Sequence, residues 1–346
     1  MLRRTVEPDV IGRLADILGE YLARRFPGMG SVRIPWIERS AGGGSRSMWF
    51  FDAEWTGEAP ISHRLCFRAE ESTCFRDSEA SLYKEFRVYR ALEGTAVPVP
   101  RNLLYEEDRS WVGERFVIRE RLDGEGDLHR QPPELRLRVL ERFVEVLAAQ
   151  HMLNPAGLGL DDVLYRPADG QDAVNHLLDT WDAVARREAL EPSPLFTAAM
   201  TWLRRHRPAK VDRISLCQGQ TGPGQFLFDP ADGRIVASLD WESAALGDPL
   251  GDVAYFAFMV QPLLASGVDA LLRRYSDLSG IALREENLRF YTVFHSYWAA
   301  VSCSVAANRF ATGEMRKLQT AWLGLHAPRS FTRRLAKAIA DMEVAS

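Results

Sequence analysis

Cysteine is scarce in this 346-residue sequence, and its four examples, Cys66, Cys74, Cys217 and Cys303, stand far apart with no metal-ligand spacing. That excludes a disulfide framework and a zinc knuckle, and the thiols are expected to be reduced in a cytoplasmic protein. An excess of charge of either sign is missing too: 43 Lys and Arg face 47 Asp and Glu, for a net charge of -4. On that balance no nucleic-acid partner is expected. The most apolar run, residues 253–268, is broken by Gln261 and Pro262 and falls short of a membrane span, so no membrane association is expected. The first residues, Met1-Leu2-Arg3-Arg4-Thr5-Val6-Glu7, turn acidic where a secretory leader turns apolar, and they do not read as a signal peptide. Internal repeats and low-complexity tracts are also lacking.

Hydrophobic residues make up 46% of the chain and charged residues 26%, enough apolar side chain at this length for two lobes with separate cores. Residues 8–25 carry Val10, Ile11, Leu14, Ile17, Leu18 and Leu22 at three- and four-residue steps and read as an amphipathic helix. Residues 32–39 and 48–55 read as strands on either side of Ser40-Ala41-Gly42-Gly43-Gly44-Ser45-Arg46-Ser47. Such a turn lets backbone amides approach phosphate oxygens, with Ser45, Arg46 and Ser47 as further donors. A plain hairpin tip is the other reading. Residues 64–70 make a third strand carrying Arg68, and 81–92 a helix whose inward stripe of Leu82, Tyr89 and Leu92 also takes in Glu85. An inward carboxylate needs a partner; Arg68 is the candidate, unless Glu85 sits at the stripe's edge and reaches water.

A strand within 111–121 then runs into Leu122-Asp123-Gly124. Beyond Pro132-Pro133, residues 134–153 form a helix with Val139, Leu140, Phe143, Val144 and Leu147 inward and His151, read as a core residue, near its end. Two helices cross 171–206, broken at Glu191-Pro192-Ser193-Pro194, and the tail from 283 to 345 is expected to be helical throughout, its aromatic stripes facing the core.

The most informative stretch is 216–242. Short apolar runs on either side of Pro230-Ala231-Asp232-Gly233 predict a β-hairpin. Closure there makes neighbours of Gln225, near the start of its first strand, and Asp240, at the end of its second, so the open end is a site. Upstream lies Cys217-Gln218-Gly219-Gln220; downstream come Asp240-Trp241-Glu242 and Leu246-Gly247-Asp248-Pro249. Asp252 is placed to cap the helix that follows, Asp248 reads as structural, and both are expected to help hold the Asp240 loop. Cys217 lies in an apolar strand with no base in view, so it does not read as a nucleophile.

This layout resembles the aminoglycoside phosphotransferase and choline-kinase-like family of small-molecule kinases, where His-Gly-Asp, four residues, Asn, a short hairpin and Asp-Trp follow one another. Gly219, the five-residue step from Gln220 to Gln225, Asp240-Trp241 and Leu246-Gly247-Asp248-Pro249 match; the family's His, catalytic Asp and metal-binding Asn are here Gln218, Gln220 and Gln225. The resemblance implies an α+β, two-lobed protein-kinase-like fold. Residues 1–120 would form a small, mainly antiparallel β lobe with one key helix, binding nucleotide. Residues 121–346 would form a larger helical lobe with the hairpin (214–241) and the acceptor-site helices. ATP or GTP and Mg²⁺ are the implied cofactors. Gly42, Gly43, Gly44, Ser45, Arg46 and Ser47 would cover the phosphates, Arg68 and Glu85 would pair at the nucleotide, Asp240 and Gln225 would hold the metal, and Gln220 stands at the general-base position. Trp181, Trp202 and Asp182 are of the kind that line an acceptor pocket, and no substrate role is assigned to them.

A carboxylate accepts the proton of an acceptor hydroxyl, whereas a neutral amide does not. Losing a positioned base lowers a rate about a hundred- to ten-thousandfold. Gln225 would reach a cation from one methylene further out than Asn, and Mg²⁺ is strict about geometry. The first expectation is therefore a catalytically impaired, pseudokinase-like member that binds a nucleotide or small ligand and serves a protein partner. The alternative is an active ATP- or GTP-dependent phosphotransferase on a small hydroxylated molecule, with Gln220 orienting the hydroxyl. A third is the same fold turned to other group-transfer chemistry.

Overall fold

The structure is a computed structural model that describes residues 8–40, 48–56, 61–70, 82–315 and 318–344. It divides into two compact units: Met1–Thr73 with Pro100–Leu122, and Cys74–Val99 with Asp123–Ser346.

The first unit is one helix on one sheet: α1 (Pro8–Arg25), β1 (Val32–Arg39), β2 (Met48–Trp55), β3 (Ile61–Ala69), β4 (Asn102–Glu106) and β5 (Phe116–Glu120). The strand order is β1-β2-β3-β5-β4, antiparallel throughout. Along β2 the alternation buries Trp49, Phe51, Ala53 and Trp55 on one face, as a period of two requires. Leu65, Phe67, Phe116 and Ile118 extend that face, and α1 covers it with Leu18, Tyr21 and Leu22. An ion pair from Arg25 to Glu106 joins the end of α1 to β4, the strand that periodicity did not reveal.

The second unit is mainly helical. It contains α2 (Leu82–Leu92), α3 (Pro133–Met152), α4 (Gly170–Glu188), α5 (Pro194–Arg205), β6 (Ser215–Cys217), β7 (Phe226–Phe228), β8 (Ile235–Ser238) and β9 (Ala245–Gly247). It closes with α6 (Leu250–Val260), α7 (Asp269–Ser279), α8 (Glu285–Ala311), α9 (Leu318–Leu325) and α10 (Pro328–Val344). The tail is helical as expected, in three helices among the described residues.

Val139, Leu140, Phe143, Val144 and Leu147 of α3 are buried as their spacing predicts. Phe143 stacks on Phe226 of β7 at 4.5 Å between ring centroids, which packs the hairpin against the buried stripe of α3. A second cluster joins Val88, Tyr89 and Leu92 of α2 to Leu216 and the fully buried Trp241. That packing is why α2 counts with this unit, whereas a single division after residue 120 had placed it with the sheet. The class is α+β, as expected. Among the described residues no helix is long and apolar enough to cross a membrane.

Candidate functional site

The hairpin closes. β7 pairs antiparallel with β8, Phe226 opposite Ser238 and Leu227 opposite Ala237, and the Leu239 amide donates to the Gln225 carbonyl at 2.8 Å. Gln225 is thereby brought beside Leu239-Asp240. Asp240 has φ 55 and ψ 59, and among the described residues no other non-glycine has a positive φ. A short polar side chain tolerates that left-handed backbone better than most. Its amide donates to the Tyr89 hydroxyl at 3.1 Å, so α2 helps to hold the turn.

The loop ahead of β7 is organised by Asp252. One carboxylate oxygen accepts the Gln218 amide at 2.7 Å, and the other accepts the Gly219 amide at 2.8 Å. The Gln150 side chain donates to it at 3.1 Å, and His151 Nε2 lies 3.2 Å away. Thr221 donates its hydroxyl to the Asp252 carbonyl at 2.6 Å. Asp252 supports the loop as expected, but not by capping its own helix: its side chain takes up free amides of the neighbouring loop, because α6 starts two residues before it and its carboxylate is buried. Gly219 allows the close approach. Its φ is +87, and an added Cβ would stand 2.8 Å from the Ser243 carbonyl oxygen.

Within this frame Gln220 is buried and its Nε2 donates to Ser243 Oγ at 2.7 Å. Gln218 donates its side-chain amide to the Leu239 carbonyl, tying the loop to the end of β8. Gln225 Oε1 is buried without a hydrogen-bond partner among the described residues.

Next to the loop, and wholly within the second unit, lies a pocket of about 900 Å³, part of it open to solvent. Trp181 on α4 and Tyr291, Phe294, His295 and Trp298 on α8 form one wall, and Gly219, Ser243 and Gly247 the other. Asp248 also lines it, but one oxygen accepts the Leu250 amide at 3.0 Å and the other the Asn287 side chain at 2.7 Å; burial holds its carboxyl above the usual range. Burial pushes His295 down to about 4, leaving a neutral ring. Burial, and then the charges of Asp252 and Asp248, push the Cys217 thiol well up, so it is no thiolate nucleophile. Ligand atoms of His151, Cys217 and Asp252 lie within 4.8 Å of one another, but His151 faces Tyr275 and Asp252 through its two nitrogens. With Asp252 holding amides and the thiol protonated, this cluster is structural and not a metal centre.

Of the residues singled out from sequence, the structure brings Gln220, Gln225 and Asp240 into one loop-and-hairpin assembly. Arg68 is buried on β3 opposite Met48 and Val117, and Glu85 is buried in the first turn of α2; they belong to different units. Gly42, Gly43, Gly44, Ser45, Arg46 and Ser47 lie outside the described residues. Trp181 lines the pocket; Trp202 and Asp182 do not. Sequence reasoning missed Ser243, which meets Gln220, and Tyr89, which had been read only as stripe. Neither has a local pattern that marks such a contact.

Comparison with known proteins adds the following. The model of the phosphotransferase enzyme family matches residues 36–287. Acyl-CoA dehydrogenase family member 11 of Rattus norvegicus is 30% identical over 217 residues, which are 60% of this chain and 27% of that one. The chain spans about a quarter of the length of the curated relatives it matches. Among solved structures, an aminoglycoside phosphotransferase-type protein of Ralstonia eutropha JMP134 matches with a TM-score of 0.71 at 22% identity, covering 94% of this chain and 98% of that one. A thermostable mutant of aminoglycoside phosphotransferase APH(4)-Ia, in complex with ADP and hygromycin B, matches with a TM-score of 0.61 at 20% identity, over 92% and 98% of the two chains. At such identities these two likenesses establish the kinase-like fold. The family match, which runs across most of both units and includes the hairpin with its Asp-Trp turn, goes further: the chain belongs to the phosphotransferase enzyme family.

Proposed function

We propose that this protein is a catalytically impaired, pseudokinase-like phosphotransferase that binds a nucleotide with Mg²⁺ and a small ligand. Gln220 carries the reading. The position that the family gives to a general base holds an amide, and that amide donates to Ser243; it has no basic lone pair for a hydroxyl proton. The carboxylates lining the adjacent pocket do not replace it, since Asp252 holds the loop amides and Asp248 holds Leu250 and Asn287.

The residues present fit a hard cation. Gln225 Oε1, buried without a partner among the described residues, and the Asp240 carboxylate are oxygen ligands of the kind Mg²⁺ takes, and they would hold it. When bound, the ion supplies positive charge to phosphate oxygens. The ADP held by the APH(4)-Ia structure supports nucleotide use, with Arg68 as the phosphate contact that the resemblance implies. The dehydrogenase name of the rat relative belongs to a protein of which the matched part is 27%, so it does not carry over to this chain.

A second reading, an active phosphotransferase on a small hydroxylated molecule, has one observation in its favour. The Gln220 side-chain oxygen accepts no hydrogen bond among the described residues, so it is available to orient an acceptor hydroxyl, and positioning with electrostatics carries most of phosphoryl transfer.

Thermal stability measured with ATP and with GTP, each with and without Mg²⁺, followed by nucleotide turnover in the wild type and in Gln220→Asp/Gln225→Asn, separates the two. The expected result is stabilisation by the Mg²⁺ nucleotide, negligible wild-type turnover and turnover appearing in the double variant. Wild-type turnover at ordinary kinase rates, about 1–100 per second, would establish the second reading, and no stabilisation by either nucleotide would defeat both.

A further inference from the structure

The pocket beside the loop has an unusual polar inventory. Its lining is largely aromatic and aliphatic, with the polar side chains of His176, Thr180, Cys217 and Ser243 among it; among the described residues no Lys or Arg lines it, and its two carboxylates, Asp248 and Asp252, are already engaged. An ammonium group entering it would meet no free anion, and a carboxylate or phosphate no cation; either would be desolvated without compensation. His295 is different. Its Nε2 lies 2.8 Å from the Gly251 carbonyl oxygen, and because a carbonyl only accepts, Nε2 carries the hydrogen. Nδ1 is then a bare lone pair, with no hydrogen-bond partner among the described residues, on a buried ring that lines the pocket. The lowered proton affinity of the ring keeps that nitrogen unprotonated at neutral pH.

We propose that this pocket takes an uncharged alcohol with an apolar body, and that His295 Nδ1 accepts the hydrogen bond from its hydroxyl. His295 is a positioning and specificity residue in this account, since an unprotonated acceptor in a largely apolar lining rewards a hydroxyl donor and offers no compensating charge to a group of either sign. The inference deepens the proposed function and rests on it in one respect, because such an alcohol would be its small ligand. It is tested by binding alone, so a failure of nucleotide binding or of phosphoryl transfer leaves it standing, and its own failure leaves them untouched.

The probes are 2-phenylethanol, ethylbenzene, 2-phenylethylamine and phenylacetate, titrated at neutral pH with readout by calorimetry and by the fluorescence of the pocket's Trp181 and Trp298. One hydrogen bond of ordinary worth corresponds to about five- to tenfold in affinity, so 2-phenylethanol is expected to bind at least about fivefold tighter than each of the others. His295→Gln keeps a donor for Gly251 but moves the acceptor oxygen away from the Nδ1 position, and it is expected to bind the alcohol no better than ethylbenzene. His295→Asn places an amide oxygen near the Nδ1 position, and is expected to keep the preference for the alcohol. Ethylbenzene binding within twofold of wild type shows in each variant that the pocket is intact. The proposal is overturned if the amine or the carboxylate binds tightest, if alcohol and hydrocarbon bind the wild type equally, if none of the four binds, or if the alcohol preference survives His295→Gln.

Discussion

His295 and Asp248 face the same pocket and respond to acid in opposite senses. Burial lowers His295 from 6.5 to about 4, so between those values the unfolded chain binds a proton that the folded chain does not. Its contribution to stability therefore falls as pH drops through that window. At about 1.4 kcal/mol per pH unit, the full penalty is roughly 3 kcal/mol. Asp248 is raised above 3.8, chiefly by burial, so its penalty is absent in acid and grows as pH rises past the ordinary carboxylate value. The two partly cancel in the wild type, and a variant that removes only the ring separates them. Urea unfolding of wild type and His295→Gln from pH 7 to pH 4 is expected to show wild-type stability dropping relative to the variant; parallel curves would mean the ring is hydrated in the folded protein.

At the scale of elements, the loop from Gln218 to Gln225 keeps its shape through a carboxylate on a different element, α6. Asp252→Asn turns one of two anionic acceptors into a donor facing backbone N–H groups. Losing charged hydrogen bonds of this kind costs about 1.5–3 kcal/mol each. The variant is expected to unfold at lower urea by about 2–4 kcal/mol and to lose hydrogen-exchange protection at the amides of Gln218 and Gly219 ahead of the rest of the unit; unchanged protection there would mean the loop stands without it.

This dependence also shows where sequence reading reached its limit. The hairpin was legible because turn residues and flanking apolar runs are local, and α1, β1 and β2 follow from periodicity over eight or more residues. β6 showed only as the apolar strand holding Cys217, and its three-residue partner β9 exists because Ser215–Cys217 and Ala245–Gly247 meet across the intervening hairpin. β4, Asn-Leu-Leu-Tyr-Glu, has no alternation to betray it. Gln220 and Gln225 were identifiable as substitutions through the five-residue step between them, but Ser243 as the partner of Gln220 is a tertiary fact that no spacing encodes.

For the molecule as a whole, two units with their own cores predict unfolding in more than one step. Trp49 and Trp55 are buried in the sheet unit, and Trp241 and Trp298 in the helical one. Urea transitions followed by fluorescence in variants keeping only one or the other pair are expected to have different midpoints, and coincident midpoints would mean a single cooperative molecule.

The left-handed backbone at Asp240 bears on how such a protein drifts over generations. Only Asp, Asn and Gly sit comfortably at that angle, so selection for folding alone would retain an acidic or amide side chain there long after any chemistry had lapsed. The two glutamines are under no such restraint, since neither has a positive φ. An ancestor's abandoned activity would therefore be recorded at Gln220 and Gln225, while Asp240 would stay silent about it.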